Sequence, residues 1–324
     1  YNRLGRILTI PVIPTHSSNF MIYVFGSSNT DMVVKSEKLP APGETVIGGE
    51  FLMNPGGKGA NQAVAAARLG GTVYFVGKTG NDLFGKQAVQ QFKRENIRTD
   101  FVATDPGRPS GVALINVDEK GENSIVVAPG ANAALTTEDV APALAQLTSE
   151  DLVLIQLEIP VDVVTYIIHQ SALIGAKVVL NPAPAQPLPT ETLSKLYVIT
   201  PNETEAELLT GIRITDLSSA ERAALYLRKA GCNHVIITLG SKGAYLNSEG
   251  RSEIIPSIPV TAVDTTAAGD CFNGALVVAL AEGKDFQTAV QFACKAAAIS
   301  TTMMGAQSSL PSRKTVDTTQ LTTS

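Results

Sequence analysis

Short apolar runs separated by longer stretches of helical period set the character of this chain. Residues 22–25, 72–76, 152–157, 177–180, 197–200 and 234–238 are rich in Val, Ile, Leu and aromatic side chains, and each predicts a buried strand. Residues 60–69, 83–95, 138–147, 161–174, 203–209 and 218–230 place apolar residues three and four apart, as amphipathic helices do. Two more helices are expected, one opening at Asp270 and an alanine-rich one from 286 to about 302. Strands apolar on both faces, alternating with helices, predict an α/β fold: a mostly parallel sheet covered on both sides.

Two segments depart from that rhythm. Residues 32–53 alternate weakly and are broken by Pro40, Pro42 and Gly43, while 110–128 hold two short runs either side of the turn Asp118-Glu119-Lys120-Gly121-Glu122. Together they predict four short strands outside the main sheet, forming a lid. The expected layout is therefore one α/β domain over 21–312 with these lid strands inserted, and a loosely held polar tail over 313–324. Met21 directly precedes the first strand, so it is the expected native start, with residues 1–20 a leader or appended segment.

Composition narrows the function classes. A chain of 324 residues with 44% apolar content buries a sizeable core. Its net charge of −5, without basic clusters, argues against nucleic acid or an anionic membrane as partner. No apolar run reaches the roughly 18–20 residues of a membrane span. Cys232, Cys271 and Cys294 are scattered and odd in number, with neither disulfide nor metal spacing, which fits a reducing, cytoplasmic setting. His16, His169 and His234 stand alone, and no catalytic role is expected of them.

The chemistry concentrates in Val263-Asp264-Thr265-Thr266-Ala267-Ala268-Gly269-Asp270-Cys271-Phe272-Asn273-Gly274-Ala275. Small residues opening a helix expose unpaired backbone N–H groups to an anion. A carboxylate beside them can take a proton from a hydroxyl. The stretch also reads as a plain capped helix after a turn. Other candidates sit at strand ends. Asn29 and Asp31 offer an amide and a carboxylate suited to vicinal hydroxyls, or equally an Asx turn. Gly56-Gly57-Lys58-Gly59-Ala60-Asn61 brings backbone, a lysine and an amide close to a ligand. Glu158 ends a buried strand and needs a partner or ligand. Asn202 and Glu205 fall one turn apart, as a cap or within reach of hydrated magnesium. Thr238-Leu239-Gly240-Ser241-Lys242-Gly243 reads as a nucleotide rim or a hairpin turn.

Three blocks, Gly56-Gly57-Lys58-Gly59-Ala60-Asn61-Gln62-Ala63, Thr200-Pro201-Asn202-Glu203-Thr204-Glu205 and Val263 to Asp270, resemble signatures of the PfkB-type carbohydrate kinases. The likeness continues through Gln156-Leu157-Glu158, Asn181-Pro182-Ala183-Pro184-Ala185, Ile237 to Ser241 and Gly305-Ala306-Gln307, in order over about 21–312. Within that family it is most similar to the ribose-phosphorylating members. The resemblance implies ATP-dependent phosphorylation of the 5-hydroxyl of D-ribose. Asp270 matches the general base, and Ala268, Gly269 and Asp270 the anion hole. Asn29, Asp31, Gly57, Lys58, Asn61 and Glu158 match sugar contacts. Asn202, Thr238, Gly240, Ser241, Gly243, Gly269 and Cys294 match the nucleotide side. Asp264, Thr266, Ser300, Met303, Gly305 and Ser309 match a potassium site, and Glu205 a magnesium-linked acid acting through water. The lid strands resemble those of a homodimer clasp. Ala267 and Met303 depart from the family pattern, which elsewhere favours glycine and a more polar residue.

Three rivals remain. A deoxyribokinase would carry an apolar residue where this chain has Asn29. A non-catalytic sugar sensor would lack the base or the anion loop. An NAD-dependent oxidoreductase needs Gly-x-Gly-x-x-Gly after the first strand, and Gly26-Ser27-Ser28-Asn29 does not supply it.

Overall fold

The computed structural model describes residues 20–320. The chain runs through β1 (Ile22–Phe25), β2 (Asn29–Lys35), β3 (Glu50–Gly56), α1 (Lys58–Arg68), β4 (Val73–Gly80), α2 (Leu83–Arg94) and β5 (Arg98–Asp105). Next come β6 (Gly111–Val117), β7 (Asn123–Ala128), α3 (Thr137–Leu144), β8 (Leu152–Ile155), α4 (Val161–Ile174), β9 (Lys177–Leu180) and α5 (Thr190–Leu193). The remainder holds β10 (Val198–Ile199), α6 (Glu203–Thr210), α7 (Leu217–Lys229), β11 (His234–Thr238), β12 (Ala244–Ser248) and β13 (Arg251–Ile255). Helices α8 (Ala268–Ala281), α9 (Phe286–Ser300) and α10 (Arg313–Thr318) close the chain.

Nine strands form one sheet in the order β13-β12-β11-β10-β9-β8-β1-β4-β5. Its pairs are parallel from β5 to β11, and β12 and β13 add an antiparallel edge. The period-two rule shows in β1: Ile22 and Val24 join the apolar layer of α1, α8 and α9, whereas Tyr23 and Phe25 join the layer of α3, α4 and α7. Both faces are buried, which is why these strands carry no polar alternation. Strand register aligns Phe25, Val76, Ile155, Leu180, Ile199 and Val235 across the sheet. The residues just beyond, including Gln156, Asn181 and Thr200, therefore gather at the carboxyl edge, where open α/β sheets bind ligands.

The lid is a separate four-stranded sheet, β3-β2-β6-β7. Its strand β2 begins at Asn29, so Asn29 and Asp31 are lid residues, on one face of a strand, and the Asx-turn reading is set aside. Strands β5, β12 and β13 were not predicted: Arg98–Asp105 and Arg251–Ile255 alternate with exposed polar residues instead of forming apolar runs, and the buried β12 has only three apolar residues before Asn247 and Ser248. The segment expected as a loose tail forms α10 over 313–318. Val316 is buried there, and Arg313 pairs with Glu282 and Asp317. Residues 1–19 and 321–324 of the expected leader and tail lie outside the described residues. Among the described residues no helix is long and apolar enough to cross a membrane.

Candidate active site

Helix α8 opens abruptly. Ala267 precedes it with φ at 60°, a left-handed conformation that costs an alanine roughly 1 kcal/mol, and no side chain caps the first turn. Small size alone therefore does not make Ala267 equivalent to glycine. Of the three N–H groups expected in the anion hole, that of Ala268 closes a turn on the Thr265 carbonyl at 3.2 Å. Those of Gly269 and Asp270 have no partner among the described residues. Of the three N–H groups expected to face an anion, two are therefore unpaired among the described residues and one lies in a turn.

Asp270 is buried, and α1 supplies its partners. Asn61 Nδ2 donates to Oδ2 at 3.0 Å and Gln62 Nε2 to Oδ1 at 2.9 Å. Close helix packing permits this: a Cβ on Gly274 would lie 2.6 Å from Ala65 Cβ and 2.8 Å from the Gln62 carbonyl. The polar links run on behind the carboxylate. Gln156 Nε2 donates to Gln62 Oε1 at 2.7 Å, and Gln62 Nε2 also reaches Asn181 Oδ1 at 2.9 Å. Asn181 donates to the Thr200 carbonyl, Thr200 Oγ1 to Asn273, and Asn273 to the Gly269 carbonyl, returning to the loop. Burial pushes the Asp270 carboxyl up, while Lys58 and the Gln62 and Asn61 amides oppose it.

The expected sugar contacts converge on the lid side of Asp270. Glycine lets α1 start against the β1–β2 turn: Gly57 has φ 89°, and a Cβ on Gly59 would lie 2.6 Å from Ser27 N. Glu158 accepts from Ser27 Oγ and from Lys58 N at 3.0 Å. Burial, then the charges of Glu158 and Asp270, raise Asp31 to about 6. Burial pulls the Lys58 ammonium down, but Asp270, Glu158 and Glu205 together leave it raised. A lysine facing these three carboxylates stays charged.

Two cavities meet at the Asp270 loop. The larger, about 540 Å³, is lined by all seven expected nucleotide-side residues: Asn202, Thr238, Gly240, Ser241, Gly243, Gly269 and Cys294. The hairpin reading of 239–243 holds, since β11 and β12 pair antiparallel, and the connection between them also lines this cavity. Burial pushes the Cys294 thiol up to about 12. The smaller cavity, about 220 Å³, holds Lys58, Glu205, Gly269 and Asp270 and shares Asn202, Thr238, Thr265, Ala268 and Gly269 with the larger. Asn202 and Glu205 form a capping box, with Glu205 N–H donating to Asn202 Oδ1 at 2.8 Å and Asn202 N–H to Glu205 Oε2 at 2.9 Å. One Glu205 oxygen is spent on that cap. Among the described residues no cluster of three His, Cys, Asp or Glu could cage a metal.

Asp264 ties the loop to the chain after α9: Oδ1 accepts from Thr266 N–H at 2.9 Å and Oδ2 from Gly305 N–H at 2.8 Å. Ser300 and Ser309 are buried and donate to the carbonyls of Ala297 and Ala306, whereas the Met303 side chain is exposed. Asp264, Thr266 and Gly305 are thus brought together. Ser309 is not bonded to them among the described residues, and Met303 offers only its backbone.

Gln62, Gln156, Asn181, Thr200 and Asn273 were not predicted as site residues. Each is a polar side chain inside or just beyond an apolar element, a signal that burial would force it to find partners. His169 and His234 stay outside the site, and His16 lies outside the described residues. His234 packs against Tyr197 and Phe286 and is held down to about 4, chiefly by burial.

Comparison with known proteins places this geometry. A ribokinase of Haemophilus influenzae is 47% identical over 291 residues, spanning 90% of this chain and 95% of the relative. A ribokinase of Bacillus subtilis is 45% identical over 296 residues, 91% and 98% of the two chains. A deoxyribokinase of Salmonella typhi is 37% identical over 292 residues, 90% and 95% of the two. The structure of an Arabidopsis thaliana ribokinase complexed with ribose and ATP matches with a TM-score of 0.83 at 34% identity, covering 92% of this chain and 97% of that one. The model of the pfkB family carbohydrate kinases matches residues 19–313, and the chain belongs to that family.

Proposed function

We propose that this chain transfers the terminal phosphoryl group of ATP to the 5-hydroxyl of D-ribose, giving ribose 5-phosphate and ADP. The observation that carries the reading is Asp270. It is a buried carboxylate oriented by two amides, beside two unpaired N–H groups, where a nucleotide-sized cavity meets a polar one. ATP lies in the larger cavity with its phosphates directed at the loop, and ribose lies between Asp270 and the lid strands. The sugar oxygen bonds to the γ-phosphorus as the bond from that phosphorus to the β-phosphate oxygen breaks, and the hydroxyl proton passes to Asp270. Such a transfer calls mainly for positioning and charge stabilisation, so a weak carboxylate base suffices. The N–H groups of Gly269 and Asp270, with Ala268 shaping the turn, meet the charge on the moving group. Lys58, the one cation among the described residues lining the polar cavity, contacts the sugar and also neutralises phosphate charge. Asn29, Asp31, Gly57, Asn61 and Glu158 orient the sugar hydroxyls.

Magnesium, when bound, screens the phosphate oxygens. The free oxygen of Glu205 suits a water-mediated contact, because magnesium keeps most of its own waters and needs no protein cage. Oxygen-only donors at Asp264, Thr266, Ser300, Met303, Gly305 and Ser309 fit a potassium ion that orders the loop. The exposed apolar side chains Phe51, Met53, Leu114 and Val126 of the lid support a homodimer through those strands. We place the enzyme in the cytoplasm.

A deoxyribokinase is the second reading, given the similarity reported above. Asn29 favours ribose, since a buried amide facing a missing hydroxyl loses its partner at roughly 1–3 kcal/mol. A coupled assay of ATP turnover on ribose, 2-deoxyribose, fructose and adenosine, with and without potassium, tests both. Ribose is expected to be the best substrate; equal efficiency on deoxyribose would defeat the proposal.

A further inference from the structure

Asn132 lies in a 3-10 turn (Gly130–Ala134) after β7 and is buried. Its amide is anchored by groups whose polarity is fixed. Oδ1 accepts from the Ser28 N–H at 3.0 Å, and Nδ2 donates to the Ser28 carbonyl at 3.2 Å. A backbone N–H only donates and a carbonyl only accepts, so these two bonds assign both ends of the amide. Asn132 Nδ2 also donates to Asn29 Oδ1 at 2.8 Å. The oxygen of Asn29 is thereby taken, and its Nδ2 has no hydrogen-bond partner among the described residues. Room for the pair comes from Gly111, paired with Asn29 in the lid register, where a Cβ would overlap both amides.

We propose that Asn132 is a positioning residue for substrate choice: it fixes the Asn29 amide so that the sugar meets a hydrogen-bond donor, and thereby sets the preference for a 2-hydroxyl over a 2-deoxy pentose. This rests on the reading that Asn29 faces that hydroxyl. Asp31, two residues along β2 and so on the same face, accepts hydroxyl protons. A hydroxyl that gives its one proton to Asp31 keeps lone pairs for Asn29 Nδ2. A reversed Asn29 would present an oxygen that competes with Asp31 for the same proton.

The test is the ratio of kcat/KM for ribose over deoxyribose in wild type, Asn29→Ala, Asn132→Ser and the double variant. Asn132→Ser is expected to lower the ratio about tenfold, and to change it less than about twofold in the Asn29→Ala background. Saturating kcat on ribose stays within about threefold. A folded Asn132→Ser enzyme with the wild-type ratio, or an equal loss in both backgrounds, overturns the proposal alone, provided Asn29→Ala has lost the ratio. Asn29→Ala keeping the ratio, or a wild type without preference, removes the reading of Asn29 and the proposal with it. Asn132→Asp keeps the acceptor for Ser28 N–H but faces Asn29 with an oxygen. It carries the same expected loss if the serine variant does not fold.

Discussion

Gln62, with no part of its side chain exposed, donates from Nε2 to Oδ1 of Asp270 at 2.9 Å. That bond crosses from α1 to α8 at the point where Gly274 allows the helices to touch. It belongs to a set of amides that links four strand ends or helices to the Gly269 carbonyl. The proposed base and the proposed anion pocket are therefore joined by one hydrogen-bonded chain. Replacing Gln62 with leucine removes a donor that holds the Asp270 carboxyl down against its burial. The carboxyl then rises further, so a higher pH is needed to ionise it. The acid limb of the pH profile of kcat/KM is expected to move to higher pH, with kcat falling about tenfold and the ribose KM little changed. A variant that melts earlier but keeps its acid limb would limit Gln62 to a structural role.

Asp270→Asn keeps the volume of the carboxylate and can accept from either Asn61 or Gln62 but not both, and it cannot take a proton. Turnover is expected to fall by about 10²–10⁴-fold. Ribose affinity, read by calorimetry without ATP, should stay within a few-fold. Retained turnover would remove Asp270 from the chemistry.

Asp31 is raised to about 6, first by burial and then by Glu158 and Asp270. Below that pH it becomes a neutral acid and a poorer acceptor for sugar hydroxyls. Ribose KM is expected to climb as pH falls through about 6, and this dependence should vanish in Asp31→Asn. The stability sign is the reverse of an ion-paired acid: the folded state favours the protonated form, so this residue's contribution declines as pH rises towards 6. A pH-independent KM across that window would contradict the assignment.

Asp264 joins Thr266 N–H to Gly305 N–H through its two oxygens. Burial raises its carboxyl, and these bonds more than offset that. Asp264→Ala should cost roughly 1–3 kcal/mol of stability through the lost charge-assisted bonds. It should also abolish any stimulation of turnover by potassium. A titration with potassium chloride against a sodium control measures the second effect, and intact stimulation would place the ion elsewhere.

Cys294 is 4% exposed and lines the larger cavity with Ala297, Ala298 and Thr301. Cys294→Phe fills part of that space without touching the lid side. The KM for ATP should rise about tenfold or more while the ribose KM stays within about twofold. Equal effects on both substrates would mean that the two cavities do not divide the ligands as proposed.

Much of this was legible in the residues. The parallel sheet follows from runs such as Ile22–Phe25 and His234–Thr238, apolar on both faces because helices cover both faces. The glycines around Lys58 mark close backbone approach, since little else tolerates it. Local sequence carries such information because it concerns steric fit and periodicity within a few residues. It does not say which element will be near which. That Gln62 meets Asp270, 208 positions away, or that Asn132 meets Asn29, 103 away, depends on helix packing and lid register. The same limit explains the turn that takes up the Ala268 N–H and the capping box that takes one oxygen of Glu205. Sequence alone determined the fold and the chemical parts, through periodicity and steric allowance. Only the tertiary structure decided how those parts are oriented, because a buried amide or carboxylate takes its direction from partners that folding brings to it.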